Sequence, residues 1–233
     1  MYRRVLLKLS GEALSGEGNK GFSEERLQYL VNELRGVKER GIEIAIVIGA
    51  GNLFRGKELT HISPTVSDEI GMLGTLINTL YLKDYLSSKG LKAVAISSIV
   101  SFPSFEPYKY SRAEQLLREG NIVILGGGTT IPYFTTDTAA AIRAIELHTD
   151  IIIKATKVDG VYELDPKKHP DTKKIDRITF TEAIERDLKI MDIEAFSICK
   201  KHKIPIIVID FFTSGNLLRA IIGEKVGTLV IPD

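Results

Sequence analysis

Short, almost uninterrupted apolar runs alternate along the chain with longer segments in which apolar residues recur every three or four positions. The runs at 5–9, 42–48, 92–97, 121–125, 150–154, 205–209 and 228–231 are rich in Ile, Val and Leu. Strands covered on both faces have this character, so the pattern predicts strands of a mainly parallel sheet. The segments between them carry helix start and stop signals. Ser23 precedes Glu24 and Glu25; Leu27, Leu30, Val31, Leu34 and Val37 then share one face, and Gly41 follows. Ile70, Leu73, Ile77, Leu80 and Tyr81 recur at helical spacing over 68–88, ahead of Gly90. Ser111 with Glu114 predicts a capping box for a short helix that stops at Gly120. Further helices are predicted over 136–148, 181–187, 192–202 and 214–222.

Two stretches break the alternation. Residues 99–110 hold two prolines and several aromatics and predict a hairpin or lid near the sheet edge. Residues 157–177 hold Asp165-Pro166, His169-Pro170 and five lysines and predict an exposed excursion. With no internal repeat and no linker, the expected fold class is α/β: a three-layer α/β/α sandwich with a central, mainly parallel sheet, formed by a single domain over 1–233. The length of 233 residues suffices for one such core.

Charge and composition narrow the partners. A net charge of +1 gives no bulk attraction to nucleic acid or to a membrane surface. No apolar run approaches the roughly 18 residues of a membrane span. Cys199 is the single cysteine, so no intramolecular disulfide forms. A cytoplasmic protein is expected.

In open α/β sheets, ligands bind beyond the carboxyl ends of the strands, and four of those junctions are chemically loaded. After the first strand comes Lys8-Leu9-Ser10-Gly11-Glu12. Gly11 permits close approach of backbone to an anion, and Lys8 reads equally as a phosphate-bridging charge or a solvent-facing strand end. After the second comes Gly49-Ala50-Gly51-Asn52-Leu53-Phe54-Arg55-Gly56. It reads as a phosphate turn with Arg55 as a clamp, or as glycines that permit tight packing. It is not the dinucleotide fingerprint, because Phe stands at 54. The third junction runs from Gly126-Gly127-Gly128 through Thr129, Thr130, Ile131, Pro132, Tyr133, Phe134, Thr135 and Thr136 to Asp137. Thr136 and Asp137 read as a helix cap with its dipole partner, which leaves the triple glycine unexplained. The fourth runs from Lys154 through Thr156, Asp159-Gly160 and Tyr162 to Asp165. Tyr162 is placed either to stack on a base or to pack.

Histidine pairs, Cys/His clusters, a Gly-x-Ser-x-Gly elbow and a Walker A motif are all absent from the sequence. Several anion-ready turns around one sheet edge suit phosphoryl transfer, where catalysis is positioning and charge stabilisation.

On Lys8-Leu9-Ser10-Gly11-Glu12-Ala13-Leu14, Gly51-Asn52-Leu53-Phe54-Arg55-Gly56, Phe134-Thr135-Thr136-Asp137 and Lys154-Ala155-Thr156-Lys157-Val158-Asp159-Gly160-Val161, the chain resembles the amino acid kinase superfamily and, within it, the bacterial-type UMP kinases. The resemblance runs from Val5 to about Pro232. It implies transfer of the γ-phosphoryl group of ATP to UMP, giving UDP in pyrimidine nucleotide biosynthesis. It implies Lys8 and Asp137 as catalytic residues. Lys8, Leu9, Ser10, Gly11, Gly51, Arg55, Thr156, Tyr162 and Asp165 would bind ATP. Ala50, Asp68 (at the start of its helix) and Thr129 through Thr136 would bind UMP. Mg²⁺ would come with ATP, held mainly by phosphate oxygens rather than by protein ligands. The resemblance also implies a homohexamer activated by GTP and inhibited by UTP, as is common among relatives, and the segment 15–22 matches the place where many of them bind GTP. Two departures stand out. Ala50 replaces the middle of three glycines, and Gly126-Gly127-Gly128-Thr129-Thr130 replaces Ser-Ala-Gly-Thr-Gly. The alternatives are a kinase of carbamate, aspartate or N-acetylglutamate, whose members usually lack the Asn-Leu-Phe-Arg-Gly stretch, and a nucleotide sensor without turnover.

Overall fold

The computed structural model describes residues 1–54, 61–99, 101–164, 166, 168–169 and 171–233. Its strands are β1 (Arg4–Leu9), β2 (Glu43–Ile48), β3 (Ala93–Ser97), β4 (Glu106–Pro107), β5 (Ile122–Gly126), β6 (Ile151–Thr156), β7 (Val161–Tyr162), β8 (Lys174–Ile175), β9 (Arg177–Thr179), β10 (Ile206–Asp210) and β11 (Thr228–Ile231). Its helices are α1 (Glu24–Lys38), α2 (Pro64–Ser88), α3 (Tyr110–Arg118), α4 (Thr136–Glu146), α5 (Phe180–Glu185), α6 (Ile193–His202) and α7 (Asn216–Ile222), with a 3-10 turn at Gly11–Leu14.

The main sheet runs in the order β4-β3-β5-β2-β1-β6-β10-β11-β9. Every neighbouring pair is parallel except β10 with β11. Successive side chains of a strand point to opposite faces, so one buried strand feeds two cores. Leu7, Ile46 and Ile153 pack with Leu30, Leu34, Leu82 and Leu217 on one side. Leu6, Val47 and Ile152 pack with Leu117, Ala140, Phe180 and Cys199 on the other. The expected three layers are present, and double coverage explains why the strand runs carry so few polar residues.

Helix punctuation held at several ends. Ser23 Oγ accepts from Arg26 N, and Gly41, Gly90 and Gly120 all adopt positive φ. Four expectations need correction. The capping box at Ser111 does not form, because α3 begins at Tyr110 with Lys109 at its cap and no side-chain bond there. α2 begins at Pro64, capped by Ser63, which leaves Asp68 inside the helix rather than at its start. Thr135, not Thr136, caps α4, accepting from the amides of Asp137 and Thr138. Within 99–110, β4 joins the sheet edge parallel to β3, so the described residues there form no hairpin. The 157–177 excursion carries a small antiparallel pair of its own, β7 with β8.

Candidate active site

Parallel pairing of β1 with β6 sets Lys8 directly beside Lys154. Two neighbouring ammonium groups repel across a sheet. Asp137, in the first turn of α4, resolves this by lying between them. Its Oδ1 is 2.6 Å from Lys8 Nζ and its Oδ2 is 2.7 Å from Lys154 Nζ. Burial pushes the Asp137 carboxyl up, but the charges of Lys8 and Lys154 outweigh it and hold the group below the ordinary carboxylate value. Burial likewise pulls the Lys154 ammonium below the ordinary lysine value, against the opposing pull of Asp137. Lys154 Nζ also donates to the Ile190 carbonyl at 2.6 Å.

The turns that follow β1 and β2 press together backbone on backbone. A Cβ on Gly11 would lie 2.4 Å from Asn52 Oδ1 and 2.7 Å from both Gly49 O and Gly51 N, so only glycine fits there. Gly49 N donates to Leu9 O at 3.0 Å, which closes the junction. Ala50 is not among the residues with positive φ, and its methyl faces Gly74 of α2, where any Cβ would come within 2.8 Å. Replacement of a glycine at position 50 therefore requires no strained backbone.

Two cavities flank the cluster. One, of about 390 Å³, is lined by Lys154, Thr156, Val158, Gly160 to Leu164, Pro166, Arg186 to Ile190 and Val208. The other, of about 290 Å³, is lined by Ala50, Gly51, Phe54, Ser67, Asp68, Gly71, Met72, Thr75, Gly128 and Tyr133 to Thr136. The inner face of α2 shapes this second cavity. Asp68 Oδ2 accepts from Tyr133 N at 2.7 Å, and Thr75 Oγ1 accepts from Gly127 N at 2.8 Å. Thr130 and Tyr133 hold φ of 69° and 72°, a conformation that costs a non-glycine residue energy and persists where the surroundings impose it.

The sequence-derived residues divide accordingly. Lys8, Asp137, Gly11, Ala50, Gly51, Asp68, Tyr133, Phe134, Thr135 and Thr136 converge on the cluster or the second cavity. Thr156 and Tyr162 line the first. The Leu9 side chain is buried in the core, so only its backbone reaches this region. Ser10 caps the 3-10 turn through its backbone position, with no side-chain bond. Thr129, Thr130, Ile131 and Pro132 belong to the same loop but do not line the cavity. Arg55 and Asp165 lie outside the described residues. Sequence reasoning missed Lys154 as a site residue, although a lysine closing the apolar run Ile151-Ile152-Ile153 was the available signal. It also missed Asp192, which caps α6 and accepts from Thr138 Oγ1 at 2.9 Å and from Thr135 Oγ1, tying α6 to the start of α4.

A largely buried lysine–aspartate–lysine triplet between two cavities, ringed by glycine turns, is suited to holding two polyanions face to face. The sequence profile of the amino acid kinase family matches residues 3–210. The uridylate kinase of Thermosipho melanesiensis is 56% identical over 232 residues, covering 100% of both chains. The uridylate kinase of Thermotoga maritima is 55% identical over 230 residues, covering 99% of this chain and 100% of its own. Among solved structures, the UMP kinase from Bacillus anthracis matches with a TM-score of 0.96 at 38% identity, covering 100% of this chain and 97% of that one. The UMP kinase from Ureaplasma parvum matches with a TM-score of 0.91 at 29% identity, covering 99% of each. From its fold, its site and these matches, the chain belongs to the amino acid kinase family.

Proposed function

We propose that the chain is a UMP kinase that transfers the γ-phosphoryl group of MgATP to the 5′-phosphate of UMP, giving UDP for pyrimidine nucleotide biosynthesis. The observation that carries this reading is the Lys8–Asp137–Lys154 cluster at the boundary of two cavities, one of them closed by Asp68 and the 127–136 loop. In this reading ATP occupies the cavity beside Thr156 and Tyr162, and UMP the cavity beneath α2. Its phosphate is already an anion near neutral pH, so the transfer requires no strong general base. A phosphate oxygen of UMP forms a bond to the γ-phosphorus as the bond to the bridging oxygen of ADP breaks, and no proton has to move.

The main barrier is repulsion between the nucleotides. Lys8 supplies positive charge where the transferred group passes, and the glycine-turn amides add fixed dipoles. Asp137 keeps the two ammonium groups apart and aimed. Its oxygens are each engaged by a lysine, which supports the view that magnesium arrives on the phosphates of ATP rather than on a protein carboxylate.

A single kinase domain over 1–233 accords with one sheet drawing strands from Arg4 to Ile231. A homohexamer accords with the outer face of α2, where Val66, Leu73, Ile77 and Tyr81 are all more than 40% exposed. Allosteric action of GTP and UTP through the 15–22 segment accords with two of its anchors. Phe22 stacks on Tyr81 at 3.7 Å, and Asn19 Oδ1 accepts from Lys157 Nζ at 2.7 Å. A cytoplasmic site accords with the described helices, none of which is long and apolar enough to cross a membrane.

An acceptor screen tests the proposal. MgATP is supplied with UMP, CMP, carbamate, aspartate or N-acetylglutamate, and products are resolved by chromatography. UDP is the expected product. Preference for one of the acids, or nucleotide binding without turnover, would sink the reading.

A further inference from the structure

Two buried amides lie behind the Gly49-Ala50-Gly51 turn, and neither lines either of the two cavities. Asn78, on the inner face of α2, is 0% exposed, and Asn52 is 2% exposed. Asn78 Nδ2 donates to Gly49 O at 2.7 Å and to Asn52 Oδ1 at 2.7 Å. Asn52 Nδ2 returns a bond to Asn78 Oδ1 at 3.1 Å and gives another to Gly21 O at 2.9 Å. Each amide oxygen thus accepts from its partner, and each amide nitrogen also serves one backbone carbonyl. Neither amide can flip without setting oxygen against a carbonyl, so the pair has one arrangement.

Peptide planarity carries the consequence into the site. The Gly49 carbonyl and the Ala50 N–H belong to one planar unit and point in opposite directions. With the carbonyl held on the α2 side, the Ala50 N–H is turned away from α2. The next unit is fixed the same way, since Ala50 O accepts from Leu53 N and Phe54 N, each at 2.9 Å. Among the described residues, neither the Ala50 nor the Gly51 N–H has a hydrogen-bond partner. Both residues line the second cavity, and Gly51 N also faces Gly11, 2.7 Å from where a Cβ there would stand.

We propose that Asn78, locked by Asn52, is a positioning residue for phosphoryl transfer: it aims the unpartnered Ala50 amide, beside the Gly51 amide that the Leu53 and Phe54 bonds fix, at the phosphates that meet there. This rests on the UMP kinase reading of the site. Preorganised amides matter most where charge develops, so the effect belongs to kcat more than to ground-state binding.

The experiment compares full-length wild type, Asn78→Leu, which cannot donate, and Leu82→Ala, a cavity-forming change in the core under the same helix. Each is assayed where circular dichroism shows it folded. Asn78→Leu should lower kcat ~10–100-fold while the KM for UMP moves less than ~3-fold. Leu82→Ala should lower the melting temperature yet keep kcat. Should Asn78→Leu fail to fold, Asn78→Asp at alkaline pH sets a non-donating carboxylate against the Gly49 carbonyl, and the same split is expected. Wild-type kcat in the Asn78 variants, or an equal loss in Leu82→Ala, overturns the inference. A crystal structure of the variant judges it without turnover: the Gly49–Ala50 peptide should rotate, and an unmoved plane overturns it. A wild type that forms no UDP would instead defeat the UMP kinase reading and leave that structural arm in force.

Discussion

The cavity beneath α2 is framed by bonds from a helix to the backbone of the opposing turns, whereas the cavity beside β6, beyond its inner wall at Lys154 and Ile190, is framed by exposed side-chain pairs. In the first, Asp68 holds Tyr133 N, Thr75 holds Gly127 N and Asn78 holds Gly49 O. In the second, Tyr162 OH donates to Asp159 Oδ1, Lys174 lies 3.5 Å from Asp159 and Arg186 lies 2.9 Å from Glu163. Backbone held by buried partners, as by Thr75 and Asn78, is rigid and keeps its geometry in salt, while exposed ion pairs are weak and screened. The Asp68 bond to Tyr133 N lies at the exposed rim. The contrast suggests a division of labour. An acceptor that must be told from its analogues meets a preformed surface, and a donor shared by many enzymes meets an adaptable one.

The junction between the two regions should show the largest effects. Replacing Lys8 by Ala is expected to lower kcat by ~10²–10³-fold with much less change in UMP affinity; a near-normal rate in steady-state kinetics would remove Lys8 from the transition state. Asp137→Asn leaves two neighbouring ammonium groups uncompensated. It should cost about 3–5 kcal/mol of stability, read from urea unfolding near neutral pH, along with most activity. The sign of the pH dependence follows from the depressed carboxyl. Its contribution is fully present above the ordinary carboxylate value of 3.8 and is lost as pH falls below it. The stability gap between wild type and Asp137→Asn should therefore narrow in acid below about pH 4, and a gap that stays constant there would contradict the assignment.

Smaller effects separate the two cavities themselves. Asp68→Ala frees the Tyr133 amide and should raise the KM for UMP ~10-fold, with the KM for ATP nearly unchanged. Tyr162→Phe removes only an exposed hydroxyl contact on the other side and should change the KM for ATP by less than ~3-fold. Equal responses of both constants in either variant would erase the distinction between a rigid acceptor side and a pliant donor side.

Much of this layout is visible in the order of residues. The main strands appear as apolar runs because burial on both faces leaves little room for polar side chains. Gly41, Gly90 and Gly120 announce helix ends because glycine adopts positive φ without strain. The site was legible where a local motif carries it, as at Lys8 to Gly11 and Thr135 to Asp137. It was not legible where its parts are distant. Lys154 gains meaning only beside Lys8, and Asn78 looks like any polar residue on an amphipathic helix. The start of α2 was missed because the apolar repeat begins after Pro64 and Ser63, so periodicity alone placed the boundary at Asp68.

By itself, then, the sequence determined the parallel α/β class, the strand-end location of the chemistry and the glycine turns, since burial and backbone freedom act on single residues and short runs. Only the tertiary structure decided how those turns work together. The pairing of β1 with β6 makes neighbours of Lys8 and Lys154, α4 supplies the carboxylate that reconciles them, and α2 holds the Gly49–Ala50 peptide through a buried asparagine. Like charges and hydrogen-bond partners are defined by separation in space, and strand register sets that separation without leaving a mark on any one residue.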